Sequence, residues 1–171
     1  MFLISEVLNH GGSAYTTPTI PQGYSGLLFR WVGDSAVAAG LDLVALRMNG
    51  DGADAKYRWQ ELSATIATPT AEENGAASDT YIDCGWVPGA TAAHAAAVSV
   101  IDVIIPRYAN TSYVKTVRIR NSLFVAASTG GMILYENSGT WIDTSAITTL
   151  SFLLGTGPIA TPTWIGLYGI P

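Results

Sequence analysis

Apolar and polar residues alternate with a period of two along most of this chain, in short runs rich in Val, Ile, Thr, Leu and aromatic side chains. Gly, Pro, Asn and Asp punctuate the runs. Successive side chains of a strand point to opposite faces, so this period describes half-buried strands and leaves no stripe for an amphipathic helix. The runs fall at residues 2–7, 14–19, 27–32, 41–48, 57–62, 80–87, 98–105, 113–127, 130–135, 146–154 and 163–170. About ten short strands at near-regular spacing predict an all-β fold, an antiparallel β-sandwich with jelly-roll-like wiring that protects its edges. An immunoglobulin-like sandwich is the alternative, without the paired cysteines of antibody domains. Residues 163–170 read as the closing strand, so the C-terminus is expected to be part of a sheet and not a tether.

The connections carry their own signals. Asn49, Gly50, Asp51 and Gly52 lie between two apolar runs and predict a hairpin turn, because Asn, Asp and Gly tolerate positive φ. Tyr57 and Trp59 then share one face of the return strand. Residues 68–79 are polar, contain Pro69, Glu72, Glu73 and Gly75, and read as a long exposed loop. Residues 90–97 are alanine-rich, but two helical turns are marginal without packing, so this stretch also reads as loop. Ser138 and Gly139 read as a turn before the last strand pair. There is no internal repeat and no low-complexity linker, so residues 1–171 are expected to form a single domain.

Composition narrows the function. The chain is 49% hydrophobic and only 12% charged, about half the usual charged share. A folded exterior this short of charge is expected to be covered in part by other subunits. Net charge is −5, and Lys115, Arg118 and Arg120 form the one basic cluster, which argues against nucleic-acid binding. Cys84 is the only cysteine, so neither an internal disulfide nor a cysteine-based zinc site is available. Residues 1–4 are too short an apolar run for a signal peptide, and no stretch approaches the ~20 apolar residues of a membrane-spanning helix.

Candidate chemistry resolves into structural roles. His10 and His94 lie in loop contexts with no nucleophile motif nearby; Gly12–Ser13 and Ser128–Thr129–Gly130 do not match a nucleophile elbow. Asn49, Asp51 and Asp54 faintly resemble a calcium loop, but the terminal bidentate Glu and flanking helices are missing, and the turn explains the same residues. Glu72 and Glu73 are adjacent and would face opposite ways on a strand, which does not suit paired-carboxylate glycoside hydrolysis. Asp102, the lone charge of an apolar strand, is expected to be a core or interface acid paired with Arg118 or Arg120. Five Trp and eight Tyr are numerous enough to line a sugar-binding surface, but most occupy alternating strand positions where core packing is the default. The chain is therefore expected not to be an enzyme, with no catalytic, cofactor-binding or metal-ligating set.

Several segments, in order, resemble small virion structural proteins of tailed bacteriophages. They are Leu3-Ile4-Ser5-Glu6; Ile20-Pro21-Gln22-Gly23-Tyr24 before Leu27 and Leu28; and Leu46-Arg47-Met48-Asn49-Gly50-Asp51 with Tyr57 and Trp59. Further along come Val100-Ile101-Asp102-Val103 through Pro106 with Tyr108-Ala109-Asn110-Thr111 and Lys115, then Ile147-Thr148-Thr149-Leu150, and finally Leu167-Tyr168-Gly169-Ile170. The resemblance implies a capsid decoration or cement protein that assembles in the host cytoplasm and resides in the virion. It further implies self-association, as a homotrimer, and contact with the major capsid protein, without nucleic-acid or membrane partners. The other role it implies is a tail-associated module that binds host-surface glycans. Residues 2–7 and 68–79, outside the strongest core pattern, are the expected contacts with the shell.

Overall fold

A computed structural model describes residues 1–8, 11–53, 55–65, 68–74, 79–91, 97–124 and 131–171. These residues form an all-β sandwich of twelve strands in two antiparallel sheets, with no helix among them. In chain order the strands are β1 (Phe2–Leu8), β2 (Ala14–Thr16), β3 (Gly26–Gly33), β4 (Leu41–Met48), β5 (Tyr57–Thr65) and β6 (Thr68–Asn74). They continue with β7 (Ile82–Pro88), β8 (Ser99–Pro106), β9 (Lys115–Phe124), β10 (Met132–Trp141), β11 (Leu150–Leu154) and β12 (Trp164–Ile170). The large sheet runs β1-β12-β3-β8-β9-β10-β5-β6 and the small one β2-β11-β4-β7. Without the β8–β9 hairpin and the edge pair β12 and β1, eight strands remain, in the orders β2-β11-β4-β7 and β3-β10-β5-β6. Renumbered one to eight along the chain, these are 1-8-3-6 and 2-7-4-5, the interleaved order of a jelly roll.

The core lies between the sheets. Phe29 and Trp31 of β3, Ile101 and Val103 of β8, and Val117 and Ile119 of β9 point inward to meet Val44, Leu46, Met48, Ile82, Leu150 and Phe152. Strict alternation of buried and outward residues along β8 and β9 is the period read in the sequence, now with one face sealed.

Three local expectations are corrected. Residues 68–74 are not loop but β6, the outermost strand of the large sheet, antiparallel to β5. An edge strand tolerates Pro69 and polar residues because one side of its backbone needs no partner. Ser138 and Gly139 are not a turn; they lie inside β10, paired with both β5 and β9. Gly139 is there because β7 passes close by: a Cβ would lie 2.6 Å from the Ile82 side chain. The turn at Asn49 and Gly50 is present, with φ of 52° and 68°, but it closes no hairpin. It carries the chain from β4 in the small sheet to β5 in the large one, since both neighbours of β4 are already taken, by β11 and β7. The Tyr57 hydroxyl locks this crossover, accepting from Met48 N (3.1 Å) and donating to the Asp51 carbonyl (2.7 Å). Burial pushes that phenol up to about 12.

Candidate docking surface

The outward face of the large sheet is built by register. Along β3, β8, β9 and β10 the outward side chains stand in rows across the strands, because directly opposite residues in an antiparallel pair share a face. One row is Arg30, Asp102, Arg120 and Glu136, a ladder of alternating sign on four adjacent strands. Arg30 grips Asp102 bidentately, Nε to Oδ1 at 2.6 Å and Nη2 to Oδ2 at 2.7 Å. Arg120 pairs with Glu136 at 2.6 Å, and Arg118 stands 3.6 Å from the same carboxylate. The neighbouring row is Val32, Val100, Ser122 and Leu134. Leu62 and Leu134 are 56% and 50% exposed, on a face over which the described residues place no second layer. Two shallow grooves cross it, one of about 430 Å³ over Val100, Arg120 and Leu134 and one of about 450 Å³ over Gln60, Leu62 and Ala71. Ion pairs this exposed contribute roughly 0–1 kcal/mol each, so stability alone gives little reason for the ladder.

The two edges of this sheet differ. β6 carries Pro69, a residue that deters another strand. β1 is seven residues long with Glu6 as its one charge, and Phe2, Leu3 and Leu8 are exposed on it. Glu6 accepts a hydrogen bond from the Trp164 indole. β1 is thus an apolar strand whose outer edge has no neighbour among the described residues.

The residues singled out for chemistry have structural partners. Asp102 is not buried and pairs with neither Arg118 nor Arg120; its partner is Arg30, which the β3–β8 register sets directly opposite. The basic cluster is split by the pleat. Lys115 points inward and donates to the carbonyls of Tyr113 (2.9 Å) and Thr144 (3.0 Å), while Arg118 and Arg120 point out. Burial pulls the Lys115 amine down. Asn49 Oδ1 accepts from Thr148 N, Thr148 Oγ1 and Thr149 N. Asp51 accepts from Ala53 N and from the Trp141 indole at 3.0 and 2.9 Å. Two of the three side chains expected to offer calcium ligands are therefore engaged with hydrogen-bond donors; the third, Asp54, and His10 and His94 lie outside the described residues. Among the described residues, no three His, Cys, Asp or Glu side chains converge as a metal site would require. Cys84 is buried, which pushes its thiol well up and suppresses the reactive thiolate. Trp31, Tyr57, Tyr108 and Trp141 fill the core, the default for aromatic residues at alternating positions.

Three buried acids, Asp42, Glu61 and Asp83, escaped the sequence reading, and Asp42 is the most buried of them. Asp42, inside β4, accepts from Ser35 Oγ (2.8 Å), Thr156 N (3.0 Å), Thr156 Oγ1 (3.1 Å) and Gly157 N (3.0 Å). A lone acid in an apolar strand was the available signal, the same one that drew attention to Asp102. Asp143 plays a comparable but more exposed role, accepting from Ser145 N (2.8 Å) and Lys56 Nζ (3.0 Å). The Ser145 hydrogen bonds and then Lys56 pull its carboxyl down to about 2, from an ordinary value of 3.8. A folded-state value below the unfolded one adds stability that is fully present above about pH 4 and lost as pH falls through about 2. Asp143→Asn is accordingly expected to lower stability by about 1 kcal/mol near neutral pH and by almost nothing near pH 2. Urea unfolding of both proteins across that range checks it.

Fold and surface together define an all-β sandwich protein with an exposed, register-built sheet face. No family model matches the chain, and no curated protein does. Among solved structures, exo-inulinase from Aspergillus awamori aligns with a TM-score of 0.39 at 12% identity, over 99% of this chain and 29% of that one. This chain thus spans less than a third of that enzyme. The metal-free lectin I-B4 from Griffonia simplicifolia aligns with a TM-score of 0.22 at 6% identity, over 98% of this chain and 90% of the lectin. Neither likeness carries an inference about activity.

Proposed function

We propose that this chain is a non-enzymatic structural protein of a phage virion, a decoration or cement subunit that docks on the capsid shell through β1. The observation that carries the docking role is the contrast between the two edges of the large sheet. β6 carries Pro69, whereas β1, despite a register irregularity between Leu3 and Ser5, is apolar but for Glu6 and has no outer neighbour among the described residues. Open apolar edges invite uncontrolled pairing, and natural proteins blunt them unless a partner strand is meant to bind. A strand from the shell protein would add main-chain hydrogen bonds along β1, and Leu3 and Leu8 would supply apolar contacts. Support for the virion setting comes from the sequence resemblance described above, and for a non-catalytic role from the structural engagement of Asn49, Asp51, Asp102 and Lys115. Of residues 68–79, also expected to contact the shell, residues 68–74 form a strand whose removal would uncover β5, and residues 75–78 lie outside the described residues.

The test adds the purified chain to phage shells assembled without it and measures co-sedimentation. Wild type is expected to saturate at a fixed number of copies per shell, and Leu3→Lys with Leu8→Lys to bind at least about tenfold more weakly while unfolding at the same urea concentration. No binding by wild type, or undiminished binding by the variant, overturns the proposal.

A further inference from the structure

We propose that the outward face of β3, β8, β9 and β10 is a self-complementary surface that pairs two copies of this chain about a two-fold axis parallel to the strands, between β8 and β9. The inference does not depend on the shell partner, because it uses a different surface from β1. Its basis is the sign pattern of the ladder, Arg30, Asp102, Arg120, Glu136, in register across adjacent strands. A two-fold axis along the strands, midway through that row, lays β3 over the partner's β10 and β8 over the partner's β9. Arg30 then faces the partner's Glu136, and Asp102 faces the partner's Arg120, so every position in the row meets its opposite sign. An axis running along the row would instead set each charge against its own copy. The chosen axis also brings Val32 over the partner's Leu134, which places the apolar rows together. Isologous contacts of this kind are the commonest route to closed oligomers.

The pairs formed within each copy do not compete with this arrangement. Each carboxylate has acceptor capacity left beyond one guanidinium, and alternating charges across two layers form a lattice of attractive neighbours. At about 4.8 Å per strand, β12 to β5 span about 24 Å, and about five residues along each strand span roughly 17 Å. That footprint, about 400 Å² per copy, is below the standard size of a specific interface, so the pairing is a weak, transient one, with an expected dissociation constant on the order of 10 μM.

The decisive experiment measures the mass of the intact chain by sedimentation from about 1 to 100 μM, using charge swaps that keep the 30–102 and 120–136 pairings within a copy and give up at most the 3.6 Å Arg118–Glu136 contact. Wild type is expected to shift from monomer to dimer, and added salt to weaken the shift. Arg120→Glu with Glu136→Arg keeps a salt bridge between β9 and β10 but opposes like charges across the axis at all four positions. It is expected to raise the dissociation constant about 100-fold or more. Arg30→Asp with Asp102→Arg does the same from the other half of the ladder. Mixed one to one, the two variants have complementary ladders and are expected to recover dimers within about tenfold of wild type. Leu134→Glu, at an exposed position, is expected to abolish the dimer without altering the unfolding midpoint. A wild type that stays monomeric or sediments as a trimer overturns the inference. So do variants that dimerise like wild type, and variants that fail to recover on mixing. Loss of dimer with intact shell binding would reject this pairing alone and leave the role of β1 standing, whereas the reverse result would reject only that role.

Discussion

Replacing Asp42 with alanine is expected to destabilise the protein by about 3–5 kcal/mol, a large part of the 5–15 kcal/mol that holds a typical domain together. The carboxylate is 2% exposed and accepts four hydrogen bonds, two of them from the backbone amides of Thr156 and Gly157. Alanine removes every acceptor and leaves those amides facing a dry space, and an unmet buried donor costs more than its hydrogen bond contributed. Asp42→Asn keeps one acceptor oxygen for Thr156 but turns an amide NH₂ towards the other donors, so about 2 kcal/mol is expected. The same carboxylate ties β4 to the segment after β11, 114 residues away. Amide exchange at Thr156 and Gly157 should therefore accelerate more than exchange in β8. Urea unfolding with residue-resolved exchange measures both effects; a loss below about 1 kcal/mol would contradict the assignment.

Phe152→Ala is expected to remove a further 3–5 kcal/mol by a different route. Phe152 of β11 is fully buried and stacks on Phe29 of β3, the rings 8° from parallel, with Tyr15 tilted against Phe29 from β2. The stack joins the two sheets at the centre of the sandwich, where strands on both sides keep the site from collapsing. Alanine leaves a cavity whose lining loses its dispersion contacts in addition to the lost burial of the ring. Phe152→Leu restores much of the volume and is expected to cost under about 2 kcal/mol. In a chain of this length the alanine variant should melt about 10 °C below wild type. A melting temperature within about 2 °C of wild type would show that the sheets do not depend on this contact.

The alternating pattern of β8 and β9 was legible because those strands have one sealed face and one open face, so burial and sequence period agree residue by residue. β4 was legible to its ends, since Asn49 and Gly50 stop it with a backbone that few other residues adopt. β6 was not, because an edge strand is solvated on one side and its composition matches that of a loop. Gly139 misled for the opposite reason: it suits a turn in isolation, but here it makes room for Ile82 of the facing sheet.

The docking surface was only half visible. A weakly charged exterior was readable from composition, and Asp102 stood out as the lone acid of its strand. Its partner Arg30 lies 72 residues away, and nothing in either local sequence links them.

Taken alone, the amino-acid order determined that the chain makes strands, which side chains of the regular strands turn inward, and where most of them stop, because those are matters of period two and of local backbone freedom. Only the tertiary structure decided which strands lie side by side, and with that the ladder of charges, the crossover after Asn49 and the open edge at β1. Neighbouring strands are chosen by register and by the packing of one sheet on another, and those contacts join residues too far apart in the chain for any local pattern to encode.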